Sequence, residues 1–322
     1  MLRYVLGRLI QLIPVVLLIV SINFLLIYAA PGDPVQYLMG DVPNVDPKLI
    51  EELRARYGLD QPIVVQLLNY LGRVLQGDLG YSYVSRESVS SIIASRLPAT
   101  LLLLGSQFVL SVVLGVLFGV WSSRNPGGPT DQVVTVMSLI GFAVPAFWLA
   151  QMMMLVFSLQ LDWFPAQGMR SLRAPSDGLA AYLDVLHHLT LPMITLATFN
   201  LAIVARVMRA SMSNTIRMDY VTFARSKGAS EGAVLWAHAA RNAVLPVVTV
   251  VGLNLRTLIA GAVLTETVFA WPGIGRLTYD AILARDYPVL MGVLLIISFT
   301  VVIGNILTDI AYAWLDPRVR LR

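Results

Sequence analysis

The chain has 322 residues, 57% of them hydrophobic and only 13% charged, with a formal net charge of +4 and a mean hydropathy of +0.73. So little charge excludes an ordinary soluble domain and points to a protein that crosses a membrane several times. The absence of cysteine excludes a disulfide framework and thiolate metal sites, and the scattered basic residues, without a tract or aromatic platform, argue against nucleic acid.

In chain order, uncharged runs fall at 9–32, 97–123, 132–161, 185–205 and 287–308. Each is long enough for the roughly 20 helical residues that span a hydrocarbon core of about 30 Å. A sixth apolar stretch, 244–268, is interrupted by Arg256 and ends near Glu266. The prediction is an all-α protein with six transmembrane helices. The first run exceeds a signal-peptide core, and its Tyr28-Ala29-Ala30-Pro31 junction suits cleavage poorly, so it reads as a retained helix. Residues 31–98 form the largest extramembrane piece, opened by the turn signal Pro31-Gly32-Asp33-Pro34. Ile50, Leu53 and Tyr57 before Gly58 predict one short helix; Gln61 to Leu75 predicts another, with Val64, Leu67, Leu68 and Leu71 on one face. That is a small helical cap, not an independent domain. Ser111, Gly115 and Gly119 make a small-residue stripe for close helix contact, within the chain or between subunits. Pro145, Pro192 and Pro246 fall within or at the ends of spans, where proline is tolerated.

Charge orients these helices. With the N-terminus in the cytoplasm, segments 1–8, 122–132, 206–243 and 315–322 hold twelve basic and four acidic residues, whereas 30–98, 160–186 and 269–287 hold ten and thirteen. The positive-inside rule therefore places both termini in the cytoplasm and the 31–98 cap outside.

The cytoplasmic segment 210–243 is too polar for lipid and too regular for a linker. Asp219 to Lys227 predicts a short helix stopped by a left-handed Gly228; Ser230 is the N-cap of the next, with Glu231 at its positive end. In that second helix Ala233, Trp236, Ala237 and Ala240 share one predicted apolar face. A helix–glycine–helix projection of this kind predicts a docking site, with Arg225 and Lys227 available to acids on a partner.

Recognisable catalytic chemistry is missing. The two lysines, Lys48 and Lys227, lie in no glycine-rich phosphate loop, and the three histidines form no zinc-protease pattern. The adjacent His187 and His188 diverge by about 100° on a helix and suit an interfacial role better than one ion. Arg256 would cost about 3 kcal/mol at mid-membrane, so it must face the bundle interior or an aqueous path, touching substrate or a structural partner. Glu266 and Asp309 pose the same question nearer helix ends. Trp271-Pro272-Gly273 reads, from its residues alone, as an interfacial aromatic and a turn.

The motifs in order carry a resemblance. Arg3-Tyr4, Arg8-Leu9, Ile13-Pro14, Pro31-Gly32-Asp33-Pro34, Gly77-Asp78-Leu79-Gly80, Arg96-Leu97-Pro98-Ala99-Thr100 and Pro145-Ala146-Phe147-Trp148 are followed by Asp219-Tyr220-Val221, Ala224-Arg225 and Lys227-Gly228. Arg241-Asn242, Leu245-Pro246, the run from Glu266 to Arg276, and Leu315-Asp316-Pro317-Arg318 complete the set. Over essentially its whole length the chain resembles the permease subunits of the dipeptide/oligopeptide/nickel class of ATP-binding cassette (ABC) importers.

That resemblance implies one permease domain over 1–322 in the bacterial inner membrane, transporting peptides by alternating access. Nickel chelates, glutathione and oligosaccharides are alternative cargoes, and a stand-alone secondary transporter is the alternative of another class. It implies a second homologous permease, two ATPase subunits that hold ATP and Mg²⁺, an extracytoplasmic substrate-binding protein and the lipid bilayer as partners. The chain itself would bind no cofactor or metal and would not be an enzyme. Tyr220, Ala224, Arg225, Lys227, Gly228, His238, Arg241 and Asn242 are implied in the ATPase-coupling loop. Ala224 and Gly228 match the general coupling pattern, Thr222 and Phe223 replace its glutamate and first alanine, and Leu245-Pro246 comes five residues late. Arg256 and Glu266 are candidates for the translocation path, and Trp271, Pro272 and Gly273 for an outer gating or docking loop.

Overall fold

A computed structural model describes residues 60–82, 84–172, 177–254 and 258–315, with residues 14, 17–22, 24, 25 and 28 of the first apolar run. Side chains are described except at 253–261, 305 and 307–315. The predicted helix through Ile50, Leu53 and Tyr57, Arg256, the side chain of Asp309 and the tail from 316 lie outside the described residues. The chain divides into two units, residues 1–98 with 277–303, and residues 99–276 with 304–322.

In the first unit, helix α1 (Ile63–Leu75) buries Tyr70 with Val20 and Leu295, and Phe24, Leu71, Val74 and Met291 pack around them. The predicted face is therefore rotated: Val64 and Leu68 are exposed, and the phenol takes the core position. Burial pushes the Tyr70 hydroxyl up to about 12, against the opposing charge of Arg73. An antiparallel pair, β1 (Tyr81–Ser82) and β2 (Glu87–Ser88), adds a small hairpin that the all-α reading did not contain. The Ser82 hydroxyl donates to Asp286, whose other oxygen accepts from the Val289 amide at 3.4 Å. Asp286 thereby caps α10 (Tyr287–Leu315), with Pro288 tolerated in its first turn.

The second unit takes most of α2 (Val89–Ser122) and adds α3 (Pro129–Ala143), α4 (Ala146–Gln160) and α5 (Leu179–Thr215). After these come α6 (Asp219–Ser226), α7 from Glu231 to Asn254, and α8 (Leu258–Val268); α9 (Ile274–Leu283) begins here. The α2 stripe serves packing within the chain. A Cβ on Gly115 would lie 2.6 Å from Val204, and one on Gly119 2.5 Å from Met208, so glycine lets α2 and α5 touch. Gly141 of α3 meets Thr198 in the same way, and Phe142 stacks on Phe199 at 5.2 Å.

Among the described residues four helices are long and apolar enough to cross a bilayer: Val89–Ser122, Leu179–Thr215, Glu231–Gly252 and Tyr287–Gly304. The run 132–161, read above as one helix, is two: α3 and α4 meet at a 106° bend. Pro145 causes it, because its ring forces the preceding residue out of the helical region and holds Val144 at φ −77°, ψ 125°. The stretch 244–268 is described on either side of residues 255–257: α7 enters it without a break from segment 219–242 and is described to Asn254, and α8 covers Leu258–Val268.

Candidate functional site

The polar segment 219–242 folds as a hairpin of helices. Gly228 holds φ +82°, where a side chain would be strained, and the Ala229 amide returns to the Ala224 carbonyl at 3.2 Å. Beyond it the Ser230 hydroxyl accepts from the Ala233 amide at 3.4 Å and starts α7. Arg225 is engaged within the segment: its Nε and Nη2 reach the two Glu231 oxygens at 3.0 and 3.2 Å, bracing the turn. Both side chains are exposed, so this pair contributes at most about 1 kcal/mol. The Lys227 ammonium lies over the Phe223 ring, 4.4 Å from its centroid.

A second tie joins the two arms. The Tyr220 hydroxyl accepts from Asn242 Nδ2 at 2.7 Å and donates to the His238 carbonyl at 3.4 Å. Three of the residues singled out from the sequence thus meet in space, His238 through its backbone. Arg241 lies on the exposed side.

Of the predicted apolar face of the second arm only Ala240 is buried, for a structural reason. Residues Val234–Ala240 form a π-helix, so the buried positions are Val234, Leu235, Ala239 and Ala240, spaced by five, while Trp236 stays 43% exposed. Leu235, Ala239, Ala243 and Val247 pack into one cluster with Val120 of α2 and with Val204, Met208 and Met212 of α5. Outward, the element offers Tyr220, Phe223 (58% exposed) and Trp236. The sequence reading named Phe223 only as a departure from the coupling pattern and placed Trp236 on the apolar face. Aromatic residues within a charged segment were the available signal for both.

Near the other end of the unit, Glu266 is wholly enclosed. One carboxylate oxygen accepts from the Thr100 hydroxyl at 2.8 Å and the other from the Arg276 amide at 3.0 Å, at the start of α9. Thr100 in turn accepts from the Ile274 amide at 2.7 Å. A Cβ on Gly273 would lie 2.3 Å from both Glu266 oxygens, so glycine is required for the loop to close over the acid. Trp271 is fully buried, not interfacial, and its indole N–H donates to the Ala99 carbonyl at 2.8 Å. Arg276 Nη1 closes the loop onto the Ala270 carbonyl at 2.7 Å. Within this unit Glu266 therefore presents no exposed edge. Among the described residues no group of three potential ligands is placed to hold a metal ion.

Comparison with known proteins agrees with this architecture. The family described as "Binding-protein-dependent transport system inner membrane component" matches residues 111–321, and its N-terminal companion matches residues 1–104. The chain is 39% identical to the oligopeptide transport system permease protein AppB of Bacillus subtilis, with 99% of both chains covered. It is 40% identical to the di/tripeptide transport system permease protein DppB of Pseudomonas aeruginosa, again over 99% of both. Among solved structures it is similar to a chain of the MetNI methionine ABC transporter, with a TM-score of 0.57 over 70% of this chain and 97% of that one. At 15% identity that likeness speaks to the fold alone. The chain belongs to the family of inner membrane components of binding-protein-dependent transport systems, and is thus a multi-pass permease of the bacterial inner membrane.

Proposed function

We propose that the chain is one permease subunit of an ATP-driven importer of peptides. It would form half of the translocation pathway with a second homologous permease, receive cargo from an extracytoplasmic binding protein and couple to two ATPase subunits. The observation that carries this is identity of 39% and 40% to oligopeptide and di/tripeptide permeases over essentially the whole chain. ATP and Mg²⁺ belong to the ATPase subunits in this reading, and the permease binds neither.

Segment 210–243 is the coupling loop, and Tyr220, Ala224, Arg225, Lys227, Gly228, His238, Arg241 and Asn242 give it its shape and contact surface. Its support is the closed helix–glycine–helix hairpin seated on α5, with the aromatic rings of Phe223 and Trp236 outward. Six spans with both termini cytoplasmic, and an extracytoplasmic cap at 31–98, complete the topology, supported by the distribution of basic residues. Arg256 contacts the path, and Trp271, Pro272 and Gly273 belong to an outer loop held in place by Glu266.

The decisive test is reconstitution. The permease pair with its ATPases in proteoliposomes should take up peptide only with ATP and the loaded binding protein. Uptake without the ATPases, driven by an ion gradient, would overturn the reading. Calorimetry of the cognate binding protein against peptides, nickel chelates, glutathione and oligosaccharides identifies the cargo.

A further inference from the structure

Asp131 stands in the first turn of α3 and is all but buried, at 3% exposed. Its carboxylate accepts from Arg209 Nε, from Arg209 Nη2 at 2.7 Å and from the Gly127 amide at 2.8 Å. A forked guanidinium–carboxylate pair fixes two planes against each other, so it resists rotation as well as separation.

Arg209 belongs to α5, between Met208 and Met212, and those two are buried against the Leu235, Ala239 and Ala243 side of α7. Successive helical residues point about 100° apart. One face of α5 thus carries the coupling segment, and the next grips α3. A turn further up, the Arg206 guanidinium lies 5.2 Å from the centre of the Phe142 ring of α3, which stacks on Phe199. From there α3 turns through the 106° bend into α4.

We propose that the Asp131–Arg209 pair is a positioning element of the transport cycle, making α3 follow α5 when the coupling segment is displaced and so delivering that displacement to the bent α3–α4 segment. The proposal rests on the coupling reading of 219–242 but concerns residues that reading does not use. Coupling between distant sites needs a stiff physical connection that both ends bias, and this pair supplies one where two helices would otherwise slide. None of the three donors to Asp131 lies in the coupling segment, so breaking the pair leaves the ATPase-facing surface as it is.

The test uses the full complex in proteoliposomes with Asp131→Asn, Arg209→Gln and the conservative Arg209→Lys. Complexes with Asp131→Asn and Arg209→Gln should assemble with their ATPases and keep binding-protein-stimulated hydrolysis. Uptake of a labelled dipeptide per ATP should fall about tenfold, within the range usual for coupling between sites; Arg209→Lys should recover part of it. Unchanged uptake per ATP in both neutral variants overturns the proposal. The coupling reading fails separately, if a bulky residue at position 228 leaves ATPase association intact. Should the neutral variants not assemble, the wild-type background decides, because the chain is free of cysteine. Spin labels at Val133→Cys and Asn214→Cys should keep one separation between the nucleotide-free and vanadate-trapped states. A separation that changes on trapping refutes the coupled movement of α3 and α5.

Discussion

Thr100 and Glu266 meet at 2.8 Å, the hydroxyl donating to a carboxylate that has no solvent contact within its unit. The same hydroxyl accepts from Ile274, so one threonine links the helix after Pro98, the buried acid and the start of α9. Replacing it with valine keeps the volume and removes both bonds. Valine would leave the buried Ile274 amide without its acceptor, at about 1–3 kcal/mol for an unsatisfied group, so Thr100→Val should lower the melting temperature of the purified permease clearly while Thr100→Ser stays near wild type. Equal melting temperatures for the two variants would show that the hydroxyl is unimportant.

Glu266→Gln should be worse than Thr100→Val. The glutamine amide brings two donors to a site whose neighbours already donate, so its Nε2 must displace either the Arg276 amide bond or the donor role of the Thr100 hydroxyl. The expected cost is about 2 kcal/mol or more, read as loss of folded protein in detergent. Gly273→Ala should mimic it, since its methyl group would collide with the same carboxylate.

At Gly228 the conformation decides. With φ at +82°, valine should cost about 2 kcal/mol and asparagine far less, because asparagine enters the left-handed region routinely. Co-purification of ATPase subunits should therefore fail for Gly228→Val and survive for Gly228→Asn. If both variants lose the ATPase, the absence of a side chain matters rather than the backbone angle.

The Tyr220–Asn242 bond can be isolated by a double-mutant cycle. Tyr220→Phe and Asn242→Ala should each reduce ATPase coupling modestly, and the double variant should be no worse than either, with an interaction of about 0.5–1 kcal/mol. Additive losses would mean that the two residues act independently.

The α2 glycines make contrasting predictions. Gly119→Ala places a methyl group 2.5 Å from Met208 Cβ and 2.9 Å from the Ala205 carbonyl, and should destabilise by about 1–3 kcal/mol. Gly105 has nothing within 4 Å, so Gly105→Ala should be neutral or stabilising by about 0.5–1 kcal/mol. Thermal denaturation of the two variants side by side checks the pair.

How much of this could be read from the sequence depended on whether the signal was local. Gly228 as a left-handed stop and Ser230 as an N-cap are properties of short windows, and both stand where they were expected. The small-residue stripe at Ser111, Gly115 and Gly119 declared close packing, though only the structure shows that α5 is the neighbour. Four features could not be settled within a short window. The π-helical stretch shifts the buried phase of 234–240 without any residue that demands it, and so Trp236 was assigned to the wrong side. Pro145 was visible, but whether a proline kinks a span or breaks it depends on what packs around the exposed backbone. Trp271 looked like a membrane-interface aromatic because its acceptor, the Ala99 carbonyl, is distant in sequence. The Asp131–Arg209 pair was hidden for the same reason, with its partners on separate helices.

Helix α7 begins in the Gly228 hairpin and continues without a loop to Asn254. From Glu231 to Asn254 it spans about 36 Å at 1.5 Å per residue, so a tilt of about 10° about Glu231 moves Asn254 through about 6 Å. The π stretch and Pro246 both interrupt regular α-helical bonding, and both fall within the first sixteen residues of this arm. On the coupling reading, the regular helix beyond those two irregularities would turn a small displacement at Gly228 into a larger one at Asn254.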